Sequence, residues 1–347
     1  MGILIAILVF GLLIVVHEVG HFLAAKAADI KVHEFAIGFG PALARLQRGE
    51  TQYTLRAFPM GGYVRMAGMD ETEEDEPRGY NKKPLGARMM VILAGPLANF
   101  LLASLLYSGL LFFVGSDRIE VPVIGYVPPV CDVTVGGEAS AVSCPAYEAG
   151  LQVGDRILSI DGKAVADWND ILSLVSTSGG KPLTFRIQRG EELLEVVIEP
   201  VRATDGRWIV GIRWPTEREP FLSALVKGPV ITLRTLGAML VSLGQMVTGQ
   251  IEADLTGPVG ITKSIAEQAS LGWTNLLVFV AFLSLNLGLF NLLPIPALDG
   301  SRIAFMLVEL VRGRRIDPQR ENMVHFVGFL LLLGLMIVVA YSDIMRW

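Results

Sequence analysis

Charge is scarce in this chain. Asp, Glu, Lys and Arg make up 18% of its 347 residues, against 52% hydrophobic. That balance excludes an ordinary soluble protein of this length and points to an integral membrane protein. The formal net charge of −5 is small and spread along the chain, so nothing calls for a nucleic-acid partner. Cysteine is scarcer still. Cys131 and Cys144 are the only two, in a loop containing Gly and Ser, and they form either a disulfide in an oxidising compartment or two unrelated thiols. The first apolar run, GILIAILVFGLLIVV, lacks a basic flank and a small-residue cleavage site. It is therefore expected to persist as a mature helix and not to act as a signal peptide.

Four stretches have the length and apolarity to span a bilayer: 2–24, 89–114, 273–298 and 323–341. Lys and Arg near their ends set the orientation. Ten of them lie in residues 25–88, and Arg302, Arg312, Arg314, Arg315 and Arg320 lie between the last two spans; none precedes the first span and only Arg346 follows the last. Both termini and the long segment 115–272 are thus expected outside the cytoplasm. The stretch 221–249 is apolar but interrupted by Lys227, Arg234 and Gly228-Pro229, which suits a surface helix better than a span.

What stands out against this scarcity of charge is HEVGH, residues 17–21, at the end of the first apolar run. Ionisable side chains inside a span need a function or a partner. Histidines at i and i+4 share one helix face, so His17 and His21 can both offer nitrogen to one metal, with Glu18 beside them to work on a water. A catalytic zinc usually takes a third protein ligand. SLNLGLFNLLPIPALDG, 284–300, offers Asp299 after two helix-breaking prolines, the alternative being a plain Asp-Gly turn. If the third span runs in the same direction as the first, Asp299 reaches the depth of His17 and His21. An extra crossing at 221–249 would place it roughly 30 Å away.

The chain resembles the site-2 proteases, and among them the bacterial group that cleaves anti-sigma factors and signal-peptide remnants. The resemblance rests on HEVGH, on GFGP at 38–41 with FPMGGYVRMAG at 58–68, on AGPLANF at 94–100, on GPVGI at 257–261 and on NLLPIPALDG at 291–300. It implies His17, His21 and Asp299 as ligands of one catalytic Zn2+ and Glu18 as the catalytic acid/base. It also implies single-span transmembrane substrates in the bacterial inner membrane, already trimmed outside by a site-1-type protease. The competing reading is a membrane-anchored adaptor without activity.

A helical substrate must be unwound before it is cut, and its freed backbone groups need partners in a dry medium. A strand edge supplies them. VHEFAIGF, TQYTLRAF and GGYVRM read as strands, and the resemblance implies a membrane-associated sheet whose substrate-binding edge is Gly61, Gly62, Tyr63, Val64, Arg65 and Met66. The resemblance further implies that Asn291 and Asn286 hold substrate backbone or the developing oxyanion, although five residues of helix set them about 140° apart. Asn99 is a further candidate, with helix packing as its alternative. His33 and His325 receive no metal role. Asp70 to Glu76, six acids in seven residues, read as a solvated loop.

Residues 121–203 alternate apolar stretches with turns and resemble a PDZ domain through Ala149-Gly150-Leu151, Val153-Gly154-Asp155 and Ile160-Asp161-Gly162. By that resemblance the loop receiving a peptide terminus lies near Ile124 to Val127, and the domain either binds a peptide or gates access sterically. The expected fold is a polytopic α-helical membrane protein with four transmembrane helices, a membrane-associated β-sheet and one α+β PDZ domain. Its divisions are 1–116, the PDZ domain at 117–215, surface helices at 216–272, and 273–347.

Overall fold

Proline and glycine mark where the long apolar runs stop being helical. In the computed structural model, which describes residues 2–69, 76–135, 138–251, 256–314 and 316–345, the first run forms α1 (Gly2–Ala27). The acidic run from Asp70 to Asp75, with Arg315 and Arg346, lies outside the described residues. Two long strands follow, β1 (Val32–Arg48) and β2 (Thr51–Met66), then α2 (Leu85–Phe113). The chain divides into two compact units, residues 1–110 with 221–347, and residues 111–220.

In the first of these units the helices continue as α5 (Phe221–Val247), α6 (Pro258–Ser270), α7 (Trp273–Leu292), α8 (Asp299–Arg312) and α9 (Pro318–Met345). Helix α7 ends at Leu292 because Pro294 and Pro296 cannot extend it, and α8 restarts at Asp299. Among the described residues, five helices, α1, α2, α5, α7 and α9, are long and apolar enough to cross a membrane, one more than the four spans expected from sequence. The addition is α5, which runs as one helix through Pro229. A third of the apolar stretch of α2 and of α7 is buried, against 6% for α5 and α9. So α1, α2 and α7 form the centre and the other two lie at its periphery.

Contacts along the helices give their directions. Gly2 abuts Ala266 of α6, just ahead of α7; Ala6, Val9 and Leu13 pack with Ile265 and Val280; and His17 meets Asp299, just beyond α7. Helices α1 and α7 therefore run the same way. Helix α2 runs opposite, with Gly20 against Ala94 and Ala98 and with Leu102 and Leu106 against the Ala6 cluster. Buried Asp343 of α9 accepts from the N–H groups of Gly257 and Gly260 at 3.2 and 2.9 Å, so α9 caps the start of α6.

The sheet is less simple than a hairpin. Phe35 pairs with both Tyr53 and Val64, Ala36 with both Thr54 and Tyr63, and Ile37 with both Leu55 and Gly62, while Arg45 pairs with Thr54. Each long strand thus bends back, and four segments lie side by side in the order 42–48, 51–56, 34–37, 62–66. Residues 62–66 pair only with β1 among the described residues, which makes them an edge. Gly61 permits the bend: its φ is +125°, and an added Cβ would stand 1.9 Å from the Phe39 ring.

The unit 111–220 has strands β3 (Ser116–Asp117), β4 (Val130–Val135), β5 (Glu138–Ser143), β6 (Arg156–Ile160), β7 (Lys163–Ala164), β8 (Leu183–Arg189), β9 (Glu192–Ile198), β10 (Val201–Arg202), β11 (Trp208–Ile209) and β12 (Thr216–Glu217). Its helices are α3 (Pro145–Glu148) and α4 (Trp168–Ser176). A four-stranded antiparallel sheet, β7-β6-β8-β9, packs Ile157, Ile160, Phe185 and Ile187 against Trp168, Ile171 and Val175 of α4. Asp167 caps α4 by accepting from the N–H groups of Asn169 and Asp170. Asp155 of the Val153-Gly154-Asp155 turn is buried and accepts from Arg189 and from the N–H of Gln152. Cys131 and Cys144 are bonded, their Cα atoms 5.0 Å apart, at the open end of the β4–β5 hairpin. The loop at Ile124 to Val127 is engaged by the chain itself. The N–H of Ile124 already donates to Asp155, and those of Gly125 and Tyr126 donate to the Arg213 carbonyl, so the chain itself has used most of the donors a peptide terminus would need.

Candidate active site

Helical spacing places His17 and His21 on the buried face of α1, 7% and 6% exposed. Their rings stand edge to face with centroids 4.7 Å apart. The break after α7 delivers Asp299 to the same point. Its Oδ2 is 3.0 Å from His17 Nε2 and 3.2 Å from His21 Nε2, and the two Nε2 atoms are 3.1 Å apart. Three residues separated by up to 282 positions thus converge three lone-pair atoms on one spot.

No placement of protons satisfies that triangle well, because two imidazole nitrogens and a carboxylate oxygen face one another at once. A cation satisfies all three. Zinc with ligands at about 2.0–2.2 Å holds tetrahedral donors roughly 3.3 Å apart, close to the spacing here. Room for it depends on Gly95 of α2, where an added Cβ would lie 2.3 Å from His21 Nε2 and 2.8 Å from His17 Nε2. The donor set and the space both fit zinc. Helix α2 also steadies the rings: His21 Nδ1 lies 2.8 Å from the Val91 carbonyl oxygen, and the Asn99 amide lies 3.2 Å from His17 Nδ1.

The cluster opens into a cavity of about 880 Å³. Glu18 lines it, as do Gly61, Gly62, Tyr63, Val64 and Met66, so the edge strand forms one wall. Glu18 lies close to that wall, since an added Cβ on Gly62 would be 3.1 Å from its Cγ. Arg65, on the same strand, points outward and is exposed. Behind the wall, Tyr63 donates to Glu34 at 2.8 Å and accepts from Arg56 at 2.6 Å, and Arg56 also donates to Glu34. Burial pushes the Glu34 carboxyl up, but the hydrogen bonds from Arg56 and Tyr63 outweigh it and hold the group below its ordinary range. The ionised carboxylate therefore pins the strand next to the edge.

Asn291 lines the cavity, its amide donating to the Leu287 carbonyl at 2.9 Å. Asn286 does not line it and donates to Phe282 on its own helix. His33 lies away from the cavity. His325 of α9, which sequence reasoning left without a role, lines it and accepts from the Ala297 N–H at 3.2 Å, steadying the loop that carries Asp299. Gly95 was also missed as a site residue. Its signal was there in Gly-Pro inside an apolar span, within the AGPLANF motif.

The sequence profile of peptidase family M50 matches residues 5–335. The chain belongs to that family. The zinc metalloprotease RasP of Geobacillus kaustophilus is 35% identical over 98% of this chain and 97% of its own length. The regulator of sigma-W protease RasP of Bacillus subtilis is 33% identical over 98% of this chain and 97% of its own length. Among solved structures, the PDZ domain of the SdrC-like protein from Listeria monocytogenes aligns with 26% of this chain and 90% of its own, at 20% identity and a TM-score of 0.19. This member of peptidase family M50 is a zinc intramembrane metalloprotease of the site-2 type and a multi-pass protein of the inner membrane.

Proposed function

We propose that this M50 peptidase cuts single-span membrane proteins within their transmembrane helix, with anti-sigma factors and signal-peptide remnants as substrates, after a site-1-type protease has removed the outer domain. The observation that carries this reading is the position of Glu18 between the three-ligand cluster and an unpaired strand edge, all on one cavity.

His17, His21 and Asp299 would hold the zinc, whose chemistry there would be Lewis acidity toward the scissile carbonyl and the attacking water. Glu18 accepts the proton that the water loses and returns it to the leaving amide nitrogen, so the C–N bond breaks with no net proton change. The unwound substrate adds as a strand beside Gly61 to Met66, and its backbone N–H and C=O groups find partners there as helical ones are lost. The Asn291 amide, with Asn286 in a lesser role, holds substrate carbonyl oxygen.

Four net crossings are supported by the common direction of α1 and α7. The outer end of α2 and the start of α7 lie on the same side, so α5 with its surroundings adds no net crossing. The excess of Lys and Arg in residues 25–88 then supports an orientation with both termini and the unit 111–220 outside the cytoplasm and the cluster near the cytoplasmic face. With the donors near Ile124 to Val127 already engaged, we assign the PDZ-like unit to steric gating of untrimmed substrates.

The test is reconstitution of full-length protein with a trimmed single-span substrate, wild type beside Glu18→Gln, and mapping of the products by mass spectrometry. Cleavage inside the span by wild type, with a fall of about 10³-fold in the variant at unchanged zinc content, is the expected result. Cleavage only outside the span, or equal cleavage by both proteins, refutes the proposal.

A further inference from the structure

Asn99 is fully buried in the middle of α2, and two observations there do not fit a packing role. Its amide meets a ring nitrogen of a ligand histidine at 3.2 Å, and its Oδ1 has no hydrogen-bond partner. A partnerless buried carbonyl is costly, so the arrangement of this amide needs a reason.

The reason lies in the His17 proton. A neutral imidazole carries one proton, and only the bare nitrogen can bind a cation. With amide nitrogen facing Nδ1, that atom must be bare and the proton sits on Nε2, where it points at Asp299 and leaves no lone pair for zinc. With zinc on Nε2 the proton moves to Nδ1, which becomes a donor and needs an acceptor. Amide oxygen and nitrogen are nearly the same size, so rotation about Cβ–Cγ exchanges them with no change of packing. As placed, Oδ1 has no partner, and in the exchanged orientation it gains one, so the choice is made at His17. His21 follows the same logic with a simpler acceptor, its Nδ1 facing the Val91 carbonyl oxygen at 2.8 Å.

We infer that Asn99 is a positioning residue whose Oδ1 accepts the His17 Nδ1 proton, fixing the ring in the tautomer and orientation that bind zinc. The inference rests on the reading of His17 as a zinc ligand. Helix α2 then orients both histidines, one by a backbone carbonyl and one by a side chain. Helix α7 holds the second in place, because Ser284 Oγ donates to the Asn99 backbone carbonyl at 2.8 Å.

The test measures zinc affinity of the full-length protein in detergent, by chelator competition, for wild type, Asn99→Leu, Asn99→Asp and His17→Ala, with unfolding of the metal-free forms followed in parallel. Leu matches the volume and removes the acceptor, whereas Asp keeps an acceptor oxygen in either orientation. The expected result is a loss of about 10- to 100-fold in zinc affinity for Asn99→Leu, with metal-free stability like wild type and affinity retained by Asn99→Asp. Unchanged affinity in Asn99→Leu, or equal loss in Asn99→Leu and Asn99→Asp, overturns the assignment of Asn99 alone. Full zinc affinity in His17→Ala overturns the zinc reading and the Asn99 assignment with it.

Discussion

The two units bury different mixtures of residue. In the unit 111–220 the least exposed side chains are large hydrocarbons, with Phe185, Ile157, Ile160 and Ile187 at 0% and Trp168 at 1%. In the helical unit, Leu4, Leu8 and Leu331 are more than 60% exposed, while His17, His21, Asn99, Ser284, Ala103 and Ala281 are buried alongside Leu13, Ile265 and Leu285. One physical rule produces both. Water drives Phe and Ile inward, but lipid is as apolar as Leu, so spanning helices gain little by hiding it and associate through small and polar residues. The interior left to them is therefore available for a metal and its chemistry.

The sharpest way to break this comparison is to fill that interior. Gly95→Ala puts a methyl 2.3 Å from His21 Nε2, so His21 must swing off the Val91 carbonyl. We expect at least ~100-fold weaker zinc binding, measured by chelator competition, with the helices intact by circular dichroism. Next in size is a matched pair of truncations. Phe185→Ala should destabilise the unit 111–220 by about 3–5 kcal/mol, read from hydrogen exchange of the β6 and β8 amides in the full-length protein. Leu8→Ala, also a large-to-small change but facing outward, should change stability in lipid by no more than about 0.5 kcal/mol. Equal costs at the two positions would end the contrast.

The smallest effect tests a third environment, the water-exposed β1–β2 turn. Hydrogen bonds from Lys26 and then Arg78 hold the Glu50 carboxyl down at about 2, against an ordinary 4.5. Because the folded value is the lower one, the contribution of Glu50 is complete above about pH 4.5 and is lost as pH falls toward 2. Glu50→Gln should flatten the acid limb of the stability profile in that window and leave neutral pH nearly untouched. Screening at a partly exposed pair keeps the change small.

Much of this was legible in residues close in sequence. HEVGH on an apolar run announced a metal on one helix face, and two prolines announced the end of α7 ahead of Asp299. The run 61–66 read as a strand with an edge, but the pairing of 35–37 with both 53–55 and 62–64 came from bending that no period-two pattern encodes. Lys227, Arg234 and Gly228-Pro229 favoured a surface helix over a span, and α5 forms as one helix of 27 residues whose length and apolarity would also allow a crossing. The loop at Ile124 to Val127 was open to either a peptide or a gating role from sequence, because its partner, Arg213, lies far along the chain.

By itself, then, the amino-acid sequence determined the solvent, the helices, the candidate ligands and the order of the motifs, since each depends on composition or on contacts within a few turns. The tertiary structure decided that the three donor atoms meet within about 3 Å, that Gly95 leaves room between them, that an edge strand passes Glu18 and that Asn99 faces His17. Those contacts join residues up to 282 positions apart, and only the packing of α1, α2 and α7 against one another and against the sheet selects them.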